Sequence, residues 1–198
     1  GVRLVGSEMC IRDRPNRYNK VMMSDKARGL SGSKHVAHTQ KLMDESTERY
    51  HGSCLSAGLT IKKATKKQDI GHVDFIINGE TVDLKGLKNS TREGKILLEF
   101  FNVRGKTGWC NEKGTPLWVA FDLGAFFLHV KNIDLYNLAK EKCDLRDTVS
   151  RVDECLYKGY RRKGRKDLMS MVLLKDVLES CEHWFLPYTK YQMPIEEV

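Results

Sequence analysis

From Ser33 onward the chain moves between helix-like and strand-like spacing of its apolar residues. Val36, Met43 and Tyr50 recur at seven-residue steps, with Leu42 and Thr47 on the same side, which predicts an amphipathic helix. Its polar face holds Asp44, Glu45, Glu48 and Arg49, and Ser56-Ala57-Gly58 ends it. Residues 59–64 read as a strand, 66–69 as a turn, and 72–77 and 80–85 as two further strands. Asn78-Gly79 between the last two is a strong hairpin signal, because both residues tolerate positive φ. A polar loop over 88–94 precedes a strand at 96–103, and a Gly-bearing loop leads to a hairpin of 117–121 with 125–130. Helices are predicted over 133–142 and 147–157, a last strand over 168–173 and a short helix over 176–181. The fold class is therefore α+β (α/β), with a central, mainly antiparallel or mixed sheet of about five to six strands flanked by helices.

Length and charge sharpen this picture. The 198 residues suit one domain with a real core, and no apolar run approaches the ~20 residues that span a bilayer, so no membrane partner is expected. Lys and Arg number 34 against 26 Asp and Glu, a net +8 that favours a polyanionic partner. The six cysteines show no CxxC and no paired spacing, which fits buried thiols in a reducing, cytoplasmic setting better than disulfides or structural zinc. Residues 1–14, GVRLVGSEMCIRDR, resemble a translated sequencing adapter of the kind left in assembled environmental reads. Setting them aside, 15–33 reads as a mobile lead-in and 34–190 as a single domain.

The chemistry concentrates in the hairpin. Strand alternation puts Asp83 and Lys85 on one face and Val82 and Leu84 on the other. With a two-residue turn, residues whose numbers sum to 157 lie opposite each other, so Asp74 faces Asp83. Two facing carboxylates repel unless a cation sits between them, and hard oxygen ligands suit Mg²⁺ or Mn²⁺. Acid-x-Lys occurs a second time, at Glu93-Gly94-Lys95, but in a polar loop with no acid across from it.

These residues, Val73-Asp74 and then Val82-Asp83-Leu84-Lys85, resemble the signature of PD-(D/E)XK nucleases, the restriction-endonuclease-like fold. Asp74 matches the first motif acid, Asp83 the second and Lys85 the motif lysine, while Val73 replaces the proline. The helix–strand–strand–strand order up to Lys85 agrees as well. The family usually places a helix after the D/E-x-K strand, where this sequence predicts a strand. The stretch from Glu99 to Trp109 is similar to phage and bacterial nuclease-like proteins. The resemblance implies a metal-dependent DNA endonuclease or resolvase-like nuclease, with Asp74 and Asp83 holding Mg²⁺ or Mn²⁺ and Lys85 stabilising the transition state.

Further candidates surround this set. Glu99 is either a further metal ligand or water-orienting base, or a partner for Lys85 or Lys88. Glu45 and Glu48 belong either to a solvated helix face or to the metal site. His72 alternates with Asp74, and Trp109 either stacks on a base or anchors its loop. Lys88, Arg104 and Lys106 are placed for nucleic-acid contact. The run from Lys158 to Lys166 holds six cations, among them Arg161, Arg162, Arg165 and Lys166, at a density suited to phosphate contact. Lys62, Lys63, Lys66 and Lys67 form a weaker patch. The alternative is a non-catalytic nucleic-acid-binding protein on the same fold, or a phage accessory protein that binds a host factor. The form of DNA (duplex, branched or single-stranded) and the oligomeric state, a homodimer included, are not legible.

Overall fold

A computed structural model of the chain describes residues 32–86 and 94–188. The adapter-like 1–14, nearly all of the lead-in and Lys88 lie outside the described residues. The chain divides into two compact units, Gly1–His38, of which only the opening of one helix is described, and Thr39–Val198. The second unit holds all that follows except the opening of that helix.

Helix α1 (Gly32–Ser56) is the expected amphipathic helix. Its fully buried stripe runs through Ser46, Tyr50, Ser53 and Cys54, a helical i, i+4, i+7, i+8 pattern. Leu42, Met43 and Thr47 flank that stripe, half-buried. The first sheet follows the order β1 (Ile61–Lys63), β2 (Phe75–Ile77), β3 (Glu80–Lys85), β5 (Trp118–Asp122), β6 (Phe126–Lys131), β10 (His183–Pro187). All its pairings are antiparallel except β3 with β5. The hairpin register is the expected one, with Ile77 opposite Glu80 and Phe75 opposite Val82, and Asn78 and Gly79 turn it at φ 48° and 91°. A second sheet, β4 (Lys95–Phe101), β9 (Leu168–Leu173), β8 (Lys158–Tyr160), β7 (Asp144–Val149), is also mixed, because β7 runs parallel to β8. Helix α3 (Asn132–Lys142) follows β6 and α4 (Leu174–Ser180) follows β9.

Alternation along the central strands separates two cores. Val82, Leu84, Trp118, Ala120 and Phe127 pack with Tyr50 and Cys54 of α1. Val119, Phe121, Leu128 and Val130 point the other way, onto Ile96, Leu98 and Phe100 of β4 and onto Leu135 and Leu138 of α3. By the same alternation Asp83 and Lys85 share the face of Val119 and Phe121, the side that the second sheet covers.

Several expectations need correction. Residues 66–69 are not a turn but the core of helix α2 (Lys66–Ile70), begun by a capping box in which Thr65 and Gln68 satisfy each other's backbone N–H. The strand expected from His72 begins only at Phe75, because His72 adopts φ 63° to close α2. The helix expected over 147–157 is replaced by β7, a 3₁₀ turn at Val152–Glu154 and Tyr157 at φ 58°, a left-handed residue no α-helix accommodates. Strand β10 was not anticipated, and the single sheet of five to six strands is two sheets of six and four.

Candidate functional site

The hairpin ladder ends at the pair Phe75–Val82, and Asp74 stands one step beyond it. Its backbone N–H donates to the Val82 carbonyl at 2.9 Å, and its Oδ2 accepts the Leu84 N–H at 2.8 Å. Those two bonds fasten the Asp74 carboxylate beside β3, close enough to Asp83 for its charge to act on that carboxyl. Asp83 is only 3% exposed. Lys85 reaches back to it, Nζ to Oδ2 at 2.6 Å, and lies over the Trp109 ring at 5.2 Å. Burial pushes the Asp83 carboxyl up to about 7, with the Asp74 charge adding to the rise and the Lys85 ammonium opposing it. One acid, a second acid against it and a lysine on the same face are thus brought together as the sequence predicts.

Glu99 lies on β4 of the second sheet, opposite Met169, at a bulge between Glu99 and Phe101. Burial pushes its carboxyl up, while the charges of Lys85, His72 and Arg162 draw it down. Among the described residues no group of three or more His, Cys, Asp or Glu side chains stands close enough to hold a metal ion together. Glu99 therefore belongs to the charged surroundings of the pair, not to a three-carboxylate cluster. His72 Nε2 sits 3.2 Å from the Thr107 carbonyl and ties the segment before β2 to the loop after β4. Glu45 and Glu48 lie on α1, which packs on the opposite face of the sheet from Asp83 and Lys85.

Trp109 does not present a free face for base stacking. It is 4% exposed, packs edge-on against Phe121 at 6.0 Å, and accepts the Asn132 Nδ2–H on its carbonyl at 2.7 Å. The indole is a floor under Lys85, and its burial fits the loop-anchoring alternative rather than base stacking.

The basic residues divide in two. Arg104 and Lys106 sit exposed on a tight loop whose backbone N–H groups both donate to Asn102 Oδ1. Gly105, at φ 74°, lets that loop close on Lys166, since a Cβ there would stand 3.2 Å from the Lys166 side chain. Arg161, Arg165 and Lys166 are exposed, so two basic loops meet beside Glu99. Arg162 differs: its Nε donates to Asp167, a carboxylate with no exposed surface. Asp167 was not singled out in the sequence, where one acid after a basic run carries no distinguishing signal. Lys62, Lys63, Lys66 and Lys67 are exposed on β1 and α2, next to Asp74, whose carbonyl accepts the Ala64 N–H.

A second buried carboxylate, Asp122 at the end of β5, accepts from Ser46 Oγ at 2.6 Å, Arg49 Nη2 at 3.1 Å, the Gly124 N–H at 3.0 Å and the Tyr188 hydroxyl. This set fastens α1 and the C-terminal end of the described chain to the central sheet. Compared with models of protein families, with curated proteins and with solved structures, the chain finds no match.

Proposed function

We propose that the protein is a metal-dependent nuclease of the restriction-endonuclease-like type, acting on the phosphodiester bonds of DNA. The observation that carries this reading is Asp74 fastened beside Asp83, with the Lys85 ammonium 2.6 Å from Asp83, on a strand that pairs antiparallel with β2 on one side and parallel with β5 on the other. A buried carboxylate beside a second, half-buried one is costly without a counter-charge, and a small hard dication held by one or two carboxylates fits that donor set. Asp74 and Asp83 would hold Mg²⁺ or Mn²⁺, which when bound supplies Lewis-acid polarisation of the phosphoryl oxygens and a more acidic water.

This chain's own residues supply the rest. Lys85 places its ammonium where negative charge grows on the phosphoryl oxygens. Glu99, its carboxyl held up by burial, is placed to orient and deprotonate the attacking water. Arg104, Lys106, Arg161, Arg165 and Lys166 neutralise phosphates along the bound strand. The Asp83–Lys85 pair also favours a second reading, a binding protein in which that ion pair is complete in itself.

The test is cleavage of duplex, branched and single-stranded DNA with Mg²⁺ or Mn²⁺. Asp83→Asn should lower cleavage by orders of magnitude, about 10²-fold or more, with metal-free DNA affinity level or raised, because a carboxylate that repels phosphate whenever it is ionised leaves the site. Lys85→Ala should lower the rate with little change in metal affinity. DNA binding without metal-dependent cleavage of any form would favour the second reading.

A further inference from the structure

Tyr160 of β8 lies opposite Met169 of β9, and Met169 lies opposite Glu99 of β4, so these three form one row across the second sheet. Arg162 lies two residues past Tyr160 and Asp167 two before Met169, just beyond the ends of these strands, and the charges of both act on Glu99. Asp167 has no exposed surface. Its Oδ2 accepts the Arg162 Nε–H, and its Oδ1 is buried with no hydrogen-bond partner. A buried carboxylate is tolerated only against a cation, and Arg162 is that cation. The ion pair runs through Nε alone, and the Arg162 side chain stays 38% exposed. Its two Nη groups are thus left over in the planar fork that matches a phosphate. The neighbouring Arg161, Arg165 and Lys166 are exposed and have no such anchor.

We propose that Asp167 is a positioning residue that holds Arg162 beside Glu99 as a phosphate clamp of the cleavage site, separate in role from the exposed cations around it. The proposal rests on the nuclease reading above. A fixed guanidinium contributes to the step in which charge grows on the phosphate, whereas a freely moving surface cation contributes to affinity alone.

Two measurements on the full chain separate the clamp from the nuclease reading. In the first, inorganic phosphate is titrated into the protein while the arginine Nε–Hε signals are followed by NMR, the Arg162 signal being the one lost in Arg162→Lys. That signal should move with phosphate in the wild type and stay still in Asp167→Asn. A wild-type signal that does not move overturns the clamp, whether or not the protein cleaves DNA. If Asp167→Asn does not fold, the wild-type titration alone decides. In the second, Arg162→Ala and Asp167→Asn should each lower turnover about tenfold or more at unchanged KM, and the double variant should be no slower than Arg162→Ala. Arg161→Ala should instead weaken DNA binding and reduce its salt dependence. Additive losses, with melting temperatures lowered in parallel, would mean the pair only stabilises the fold, and overturn the proposal. A responsive Arg162 signal in a protein that cleaves nothing would remove the nuclease reading and leave the clamp as a phosphate-binding site.

Discussion

Asp83 is the residue on which the account turns, and its position sets a pH dependence. A carboxyl pushed up to about 7 binds its proton more tightly in the folded chain than in the unfolded one. Its contribution to stability is therefore complete below the ordinary carboxylate range, near pH 4, and is lost as pH rises through about 7. In metal-free buffer, Asp83→Asn should remove that loss, because the amide stays neutral. The variant should melt at least about 3 °C above the wild type near pH 8 and show no such advantage near pH 5. Parallel melting curves of the two proteins across that range would show that Asp83 carries no buried charge. His129 acts in the opposite direction. Burial holds it down to about 3, so its contribution is present above the ordinary histidine range and is lost as pH falls from there towards 3. The Tyr50 hydroxyl lies 2.6 Å from its Nε2 and the Trp184 ring stacks on it, so the imidazole is closed into the core.

Where the resemblance leads one to expect a helix after β3, the next described element is strand β4. β5 returns parallel to β3, and β4, which lies between them in the chain, pairs into the second sheet. Gly108 makes this possible. Its N–H donates to the Phe100 carbonyl at 2.8 Å, and a Cβ there would overlap the carbonyl oxygen of Glu99. Gly108→Ala should force β4 and the Trp109 floor apart, at a cost of about 1–3 kcal/mol and a fall of several degrees in melting temperature. An unchanged melting temperature would mean that the contact is slack. Legibility follows periodicity at this scale. The α1 stripe, the Asn-Gly hairpin and the apolar β9 announce themselves, since each buries one face regularly. β7 does not, because its residues are largely exposed and present no alternation. The α2 start was written in Thr65 and Gln68 and was outweighed by the four charged or polar residues that follow Thr65.

At the scale of the molecule, exposed lysines and arginines among the described residues gather on β1 and α2, next to Asp74, and on the loops of Arg104 and Arg161. Composition pointed to a polyanion but not to that distribution, which needs the second sheet in place. Asp74, Asp83 and Lys85 were legible because a hairpin register is local. The burial of Trp109 and the pairing of Arg162 with Asp167 were not, because both depend on how β4, β8 and β9 assemble from distant segments. Calorimetric titration of Mn²⁺ into the wild type and Asp83→Asn near pH 7 tests the central claim most directly. The account predicts binding to the wild type with proton release, since the ion displaces the proton that burial holds on Asp83, and affinity about tenfold or more weaker in the variant. Equal affinity and equal proton release in the two proteins would contradict it.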